Sequence, residues 1–222
     1  MLPSSMSNIA AIFSDIDGTV VHYEKTMHKQ GYQLLCIDGK RRIVSPSEIE
    51  DRSLWILPGV RHGVAVERVC WLHEPTSTVV WCVKVPSLTL GGGYISEKTL
   101  DMVDELRKVH GVKFVLMTGA RTSTMLMRRQ SATLPTTDFD VCEGGGKQWK
   151  RDGKGPLESC ELDASWTHQF ADVTGPMEQL DSDPLSRVGP LWDVFRILHG
   201  EGFHLDAKSF STSFLVDLSK SR

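Results

Sequence analysis

Two carboxylates, a glycine and a hydroxyl stand together at Asp15-Ile16-Asp17-Gly18-Thr19, directly after the apolar run from Ile9 to Phe13. The run reads as a buried strand of a parallel sheet. Polar side chains at the carboxyl end of such a strand sit where open α/β sheets place their ligands. In an extended backbone, Asp15 and Asp17 leave on the same side. Gly18 permits a sharp turn, and Thr19 adds a hydroxyl and a backbone N–H. Carboxylates this close repel each other unless a cation or a shared proton intervenes. The pattern therefore suits a magnesium ion held by Asp15 and Asp17, with one carboxylate left to attack a phosphorus atom. Two other readings use the same residues. A calcium loop needs its glycine at the sixth position and a distal glutamate, whereas here the glycine is fourth and a strand precedes it. An ordinary strand-to-loop turn also favours Asp and Gly.

The elements that must position these residues follow from the hydrophobic pattern. Ser96 is placed to N-cap a helix running to about His110, with Leu100, Val103 and Leu106 on one face and Gly111 ending it. Val112 to Met117 is a second core strand, ending in Thr118 and Gly119. Thr118 is a candidate to hydrogen-bond a phosphate oxygen, and the helix from Arg121 to Gln130 presents a positive N-terminal end that suits an anion. Arg121 either pairs with that phosphate or lies on the helix surface. Between these parts, Tyr32 to Ile37 and Arg41 to Val44 form a hairpin signal around Asp38-Gly39-Lys40. Val64 to Leu72 and Thr78 to Val85 are a second pair. Trp55, Trp71 and Trp81 are expected to build a small satellite core, with a hydrophobic lid as the alternative. Gly91-Gly92-Gly93 reads as a flexible joint. His22, His28, His62 and His73 lack metal-site spacing and read as surface or packing residues.

Later in the chain, Phe139 to Cys142 precedes Glu143-Gly144-Gly145-Gly146. Lys147 to Lys150 then reads as a strand with an Asp152-Gly153 turn. Ala164 to Val173 and Pro190 to Leu198 read as helices, and Phe203 to Asp206 with Phe210 to Leu218 as paired strands.

Three of these stretches together resemble the haloacid dehalogenase superfamily. Ile12-Phe13-Ser14-Asp15-Ile16-Asp17-Gly18-Thr19 is similar to its first motif, and Val115-Leu116-Met117-Thr118-Gly119 to its second. Phe139-Asp140-Val141-Cys142-Glu143-Gly144-Gly145-Gly146 is similar to the loop that enters the cap of the type IIB members, with Gly144 where Asn is usual. Phe210 to Val216 resembles a cap strand of the sucrose-phosphatase branch. The resemblance implies an α/β fold: a Rossmannoid core over 1–22 and 94–146, a β-rich insertion over 23–93, and an α+β cap over 147–222. It implies a magnesium-dependent phosphatase acting on a small phosphorylated metabolite such as a sugar phosphate. Asp15 would be the nucleophile and Asp17 the acid and base, with its backbone carbonyl on the metal, while Thr118 and Gly119 would bind phosphate. The superfamily's later lysine and Gly-Asp-x-x-x-Asp motifs do not occur, and Asp181, Asp183, Lys208 and Lys220 are poor substitutes. A truncated, weakly active chain with an exposed sheet edge is the resulting expectation. A phosphomutase-like isomerase and a non-catalytic binding protein are the other function classes.

Composition sets outer bounds. The 222 residues suffice for one or two domains with a real core. A formal net charge of −3 gives no reason to expect nucleic acid or an anionic membrane as partner. The five cysteines are scattered, as buried thiols in a reducing compartment would be. The N-terminus lacks a secretory pattern, and no apolar run reaches spanning length, so a cytoplasmic protein is expected. The oligomeric state is left open.

Overall fold

A computed structural model of the chain describes residues 10–37, 43–44, 57–87, 92–151, 160–177, 179 and 182–221. Helices and strands mix throughout the described residues, so the protein belongs to the α/β class. It divides into two compact units. Among the described residues, the first gathers 10–116 and 126–138, and the second 117–125, 139–151 and 160–221.

The first unit begins with β1 (Ala11–Asp15) and α1 (Glu24–Lys29). Next come β2 (Tyr32–Ile37), β3 (Ile43–Val44), β4 (Leu57–Arg61), β5 (Val64–His73), β6 (Thr78–Val85) and β7 (Gly93–Ser96). β2 to β7 form one antiparallel sheet in which β5 is long enough to serve two partners on one edge. Its start pairs with β4 and its end with β2, while β6 runs along the other edge and passes the sheet on to β7. The β4–β5 connection is the two-residue turn His62-Gly63, both with positive φ (49° and 78°), the backbone that matches the twist of a tight hairpin. β4 has no expectation behind it in the sequence. Its Gly59 is required because a Cβ there would meet Arg68 Cδ at 2.4 Å.

The two hairpins read from the sequence are present, although the Asp38-Gly39-Lys40 turn lies outside the described residues. Trp71 is fully buried with Met27, Leu34, Val69 and Cys82, and Tyr94 packs edge-on to it at 5.1 Å. The satellite-core reading holds for Trp71. Trp81 is half-buried under the Arg68 guanidinium, and Trp55 lies outside the described residues. Gly93 is a buried strand residue rather than part of a joint: a Cβ would meet Val21 Cγ1 at 2.5 Å. Gly91 is not among the described residues.

α2 (Glu97–Lys108) follows with its expected cap, the Thr99 N–H donating to Ser96 Oγ at 3.0 Å, and buries Leu100, Val103 and Leu106. β8 (Lys113–Met117) lies beside β1, its Lys113 N–H bonding to the Ala10 carbonyl. Asp138 gathers Arg107, Lys113 and the Phe114 N–H within 3.1 Å, which fixes the chain as it leaves this unit. The expectation of a buried first strand needs correction. Among the described residues β1 pairs with β8 alone, and Phe13 and Asp15 alternate onto an exposed face, Phe13 at 67% exposure. Ile9 is outside the described residues.

α3 (Thr122–Gln130) starts in the second unit and ends in the first. In the second unit, β9 (Phe139–Cys142), β10 (Lys147–Arg151) and β11 (Cys160–Leu162) pair antiparallel. The expected helix from Ala164 is broken into α4 (Ala164–His168) and α5 (Ala171–Thr174). α6 (Pro190–Gly200) packs Trp192 and Phe195 against Ala207. β12 (His204–Asp206) and β13 (Leu215–Asp217) pair, but Phe210 to Phe214 is irregular rather than a strand. The reason is that the Ser211 and Thr212 N–H groups are spent on the Glu143 carboxylate. Cys70, Cys82 and Cys142 are buried and unbridged.

Trp71 carries the first unit's satellite core. Trp71→Ala is expected to cost about 3–5 kcal/mol, as for a fully buried aromatic. Urea unfolding followed by the remaining tryptophans measures it, and a loss below about 1 kcal/mol would mean that this cluster does not carry the unit.

Candidate functional site

The Asp15-Ile16-Asp17-Gly18-Thr19 turn lies within the first unit. β1 stops at Asp15, and Ile16, fully buried, anchors the turn by accepting the Val20 and Val21 N–H groups at 3.1 and 2.8 Å. Gly18 has φ +88° and open space where a Cβ would be, so glycine is needed for its backbone conformation and not for room. Because the chain turns at Ile16, the alternation of an extended strand ends before Asp17. The two carboxylates consequently meet different surroundings. Asp15 is exposed, and among the described residues its carboxylate has no hydrogen bond or ion pair.

Asp17 is held by two side chains through three hydrogen bonds. Tyr23 Oη donates to Oδ1 at 2.5 Å, and Arg128 donates from Nη2 to Oδ1 at 3.0 Å and from Nη1 to Oδ2 at 3.3 Å. Arg128 is 3% exposed and also donates to the Pro86 carbonyl through Nε and to Tyr23 Oη through Nη2. A buried guanidinium needs such neutralisation, and the bidentate fork with a carboxylate is its strongest form. Burial, then the Asp17 hydrogen bond, pushes the Tyr23 hydroxyl up to about 12, so it stays a donor at neutral pH. Neither Tyr23 nor Arg128 was marked by sequence spacing. A tyrosine six residues past the turn and an arginine in the last turn of a helix are common, and only the fold brings them to Asp17.

Thr118 and Gly119 belong to the second unit. Thr118 is buried, its N–H donates to the Val141 carbonyl at 2.8 Å, and its Oγ1 accepts the Ala120 N–H at 3.0 Å, which leaves its hydroxyl proton to donate elsewhere. Gly119 is exposed, with open space at the Cβ position. Arg121 precedes α3, pairs with Asp206 and stacks over Phe210 at 4.9 Å.

Glu143 is the most heavily bonded carboxylate of the second unit's described residues. It accepts from Lys147 Nζ at 2.9 Å, from the Ser211 and Thr212 N–H groups at 2.9 and 3.0 Å, and from Thr212 Oγ1 at 2.9 Å. Burial acts to raise this carboxyl, but the Lys147 bond and the Ser211 and Thr212 N–H groups outweigh it and hold it below its ordinary value. Its φ of +55° and the positive φ of Gly144 and Gly145 form the tight turn into β10. A glutamate opening a glycine run was the available signal for this anchor.

Two of the four residues weighed as poor stand-ins for the superfamily's later motifs, Asp183 and Lys220, are engaged elsewhere. Asp183 caps a short turn through the Leu185 N–H, Lys220 pairs with Asp217 at the surface, and Lys208 is exposed. Asp181 is outside the described residues. Among the described residues, no group of three or more His, Cys, Asp or Glu side chains is placed to hold a metal. No helix among them is long and apolar enough to cross a membrane.

None of the family profiles, curated proteins or solved structures compared with the chain matches it. The likeness to the haloacid dehalogenase superfamily therefore stands on the three motifs alone.

Glu143 generates a pH prediction. Its folded carboxyl lies below the ordinary 4.5, so its contribution to stability is full above that pH and is lost as the pH falls through the folded value. Glu143→Gln should lower stability at neutral pH by about 3–5 kcal/mol, since it strands buried Lys147. The penalty should shrink in acid. Urea midpoints at neutral and acidic pH check this, and a penalty that does not change with pH would contradict it.

Proposed function

We propose that this protein is a magnesium-dependent phosphomonoesterase with a haloacid-dehalogenase-type core, in which Asp15 attacks phosphorus to form an aspartyl-phosphate. One observation carries the reading: two carboxylates two residues apart are treated oppositely, Asp15 exposed and unengaged among the described residues, Asp17 fixed by Arg128 and Tyr23. A nucleophile needs a free lone pair, and a proton-handling partner needs a fixed position.

The side chains present fit a magnesium ion that is shared with substrate. Magnesium keeps several waters and commonly takes one or two carboxylates plus phosphate oxygens. Asp15 supplies a carboxylate for it, whereas the Asp17 carboxylate is already occupied and would leave only its backbone carbonyl. When bound, the ion would offset the charge between carboxylate and phosphate dianion. Asp15 presents its oxygen to phosphorus, and Asp17 is held where it can exchange a proton with a nearby oxygen. A sugar phosphate or similar small metabolite is the substrate class that the motif resemblance suggests.

A phosphate-binding protein without turnover is the second reading, favoured by the absence, among the described residues, of a group of three or more His, Cys, Asp or Glu side chains placed to hold a metal.

Asp15→Asn removes the attacking charge at nearly constant volume. Hydrolysis of an aryl phosphate in magnesium should fall by at least about 10³-fold while the urea midpoint stays unchanged. Undiminished hydrolysis would overturn the assignment. Binding of vanadate by the wild type without hydrolysis would favour the second reading.

A further inference from the structure

We infer that a recess between the β4–β5 hairpin and α2 binds a small free α-amino acid, with Arg61 taking its carboxylate and Asp101 its ammonium group. None of the residues that line this recess belongs to the Asp15–Thr19 turn or to the Asp17–Tyr23–Arg128 cluster.

The recess holds about 240 Å³, room for about eight waters and less than the clefts that take drug-sized ligands. Strand register shapes it. Gly59 pairs with Val66 and Arg61 with Val64, so Arg61 and Arg68 leave the hairpin on the same face. Gly59 offers only backbone there, and the Arg68 stem lies against it. Val66 and Val83 add buried apolar surface to the lining. From α2 come Glu97 and Asp101, four residues apart and so on one face of the helix.

The charges of the lining are only partly paired. Arg68 donates to both Glu97 oxygens, at 2.5 and 2.9 Å. Asp104, further along α2, pairs with Lys108 at 3.1 Å. One cation, Arg61, and one anion, Asp101, remain, and neither makes a hydrogen bond or ion pair among the described residues. Asp101 is exposed and can meet a ligand from solvent. Arg61 is shielded: its Nε and Nη2 are shut off from water and bond to nothing. Burial lowers the guanidinium from its ordinary value, and the charges of Asp104, Asp101 and Glu97 oppose that shift. Arginine stays charged at any working pH. A cation already stripped of water has little hydration left to lose when an anion reaches it, and the attraction is stronger than at an open surface.

Two unmatched charges of opposite sign select the ligand. A simple anion would face the Asp101 carboxylate, and a metal cation would face two guanidinium groups. A zwitterion satisfies both ends at once, each through a charge-assisted hydrogen bond. The small volume restricts the side chain it carries.

The test is titration calorimetry and thermal unfolding of the full chain with each common amino acid, and with acetate, methylammonium and inorganic phosphate as single-charge probes. At least one amino acid should bind about tenfold or more tightly than any of the three probes, and should raise the melting temperature as its concentration rises. Asp101→Asn, at an exposed position, should weaken that binding at least about tenfold and leave the ligand-free melting temperature unchanged. Arg61→Gln should abolish it, and if that variant does not fold, Asp101→Asn decides alone. Binding by no amino acid overturns the inference. So does a single-charge probe that binds as tightly as the best amino acid, or amino-acid binding that Asp101→Asn does not weaken.

Discussion

Arg128 is a charge with almost no access to water, and the first unit is arranged so that it never lacks a counter-charge. Its guanidinium reaches the Asp17 carboxylate, the Tyr23 hydroxyl and the Pro86 carbonyl. It therefore ties the last turn of α3 to the turn after β1, to the start of α1 and to the end of β6. Truncating Asp17 would leave the buried guanidinium unpaired, which is costlier than never having built the pair. The same contact that stabilises the turn also occupies three acceptor positions on the Asp17 carboxylate and leaves Asp15 apart from it.

The second unit solves a similar problem with a different charge. Glu143 is buried at a left-handed turn, and Lys147 with the Ser211–Thr212 backbone neutralises it. This bonding explains why the stretch from Phe210 to Phe214 leaves the β pattern that its composition suggests. Gly146 is required at the same place, since a Cβ would meet Thr212 Oγ1 at 2.0 Å. One carboxylate thus sets the path of chain more than sixty residues downstream.

Much of the local structure was legible in the sequence because it is encoded by local rules. The Ser96 cap, the Leu100–Val103–Leu106 face of α2, the strand before Thr118 and the pairing of β5 with β6 all follow from capping and periodicity. β4 was not legible: Pro58 and Gly59 read as breakers, and only the length of β5 gives that segment an edge to join. Phe13 looked like core because it is apolar, yet burial depends on what covers β1, and β1 pairs with β8 alone among the described residues. The candidate nucleophile was legible in Asp-x-Asp-Gly-Thr. Its environment was not, because Arg128 lies 111 residues from Asp17 and nothing in either residue's neighbourhood announces the other.

The central claim is that Asp15, the carboxylate at the end of β1, attacks phosphorus. Mass spectrometry of peptides from protein quenched in acid during turnover of acetyl phosphate with magnesium tests it most directly. The account predicts one added phosphoryl group on the peptide bearing Asp15, at that residue, and none in Asp15→Asn. Turnover of the substrate with no phosphorylated peptide, or a phosphoryl group found on another residue, would contradict it.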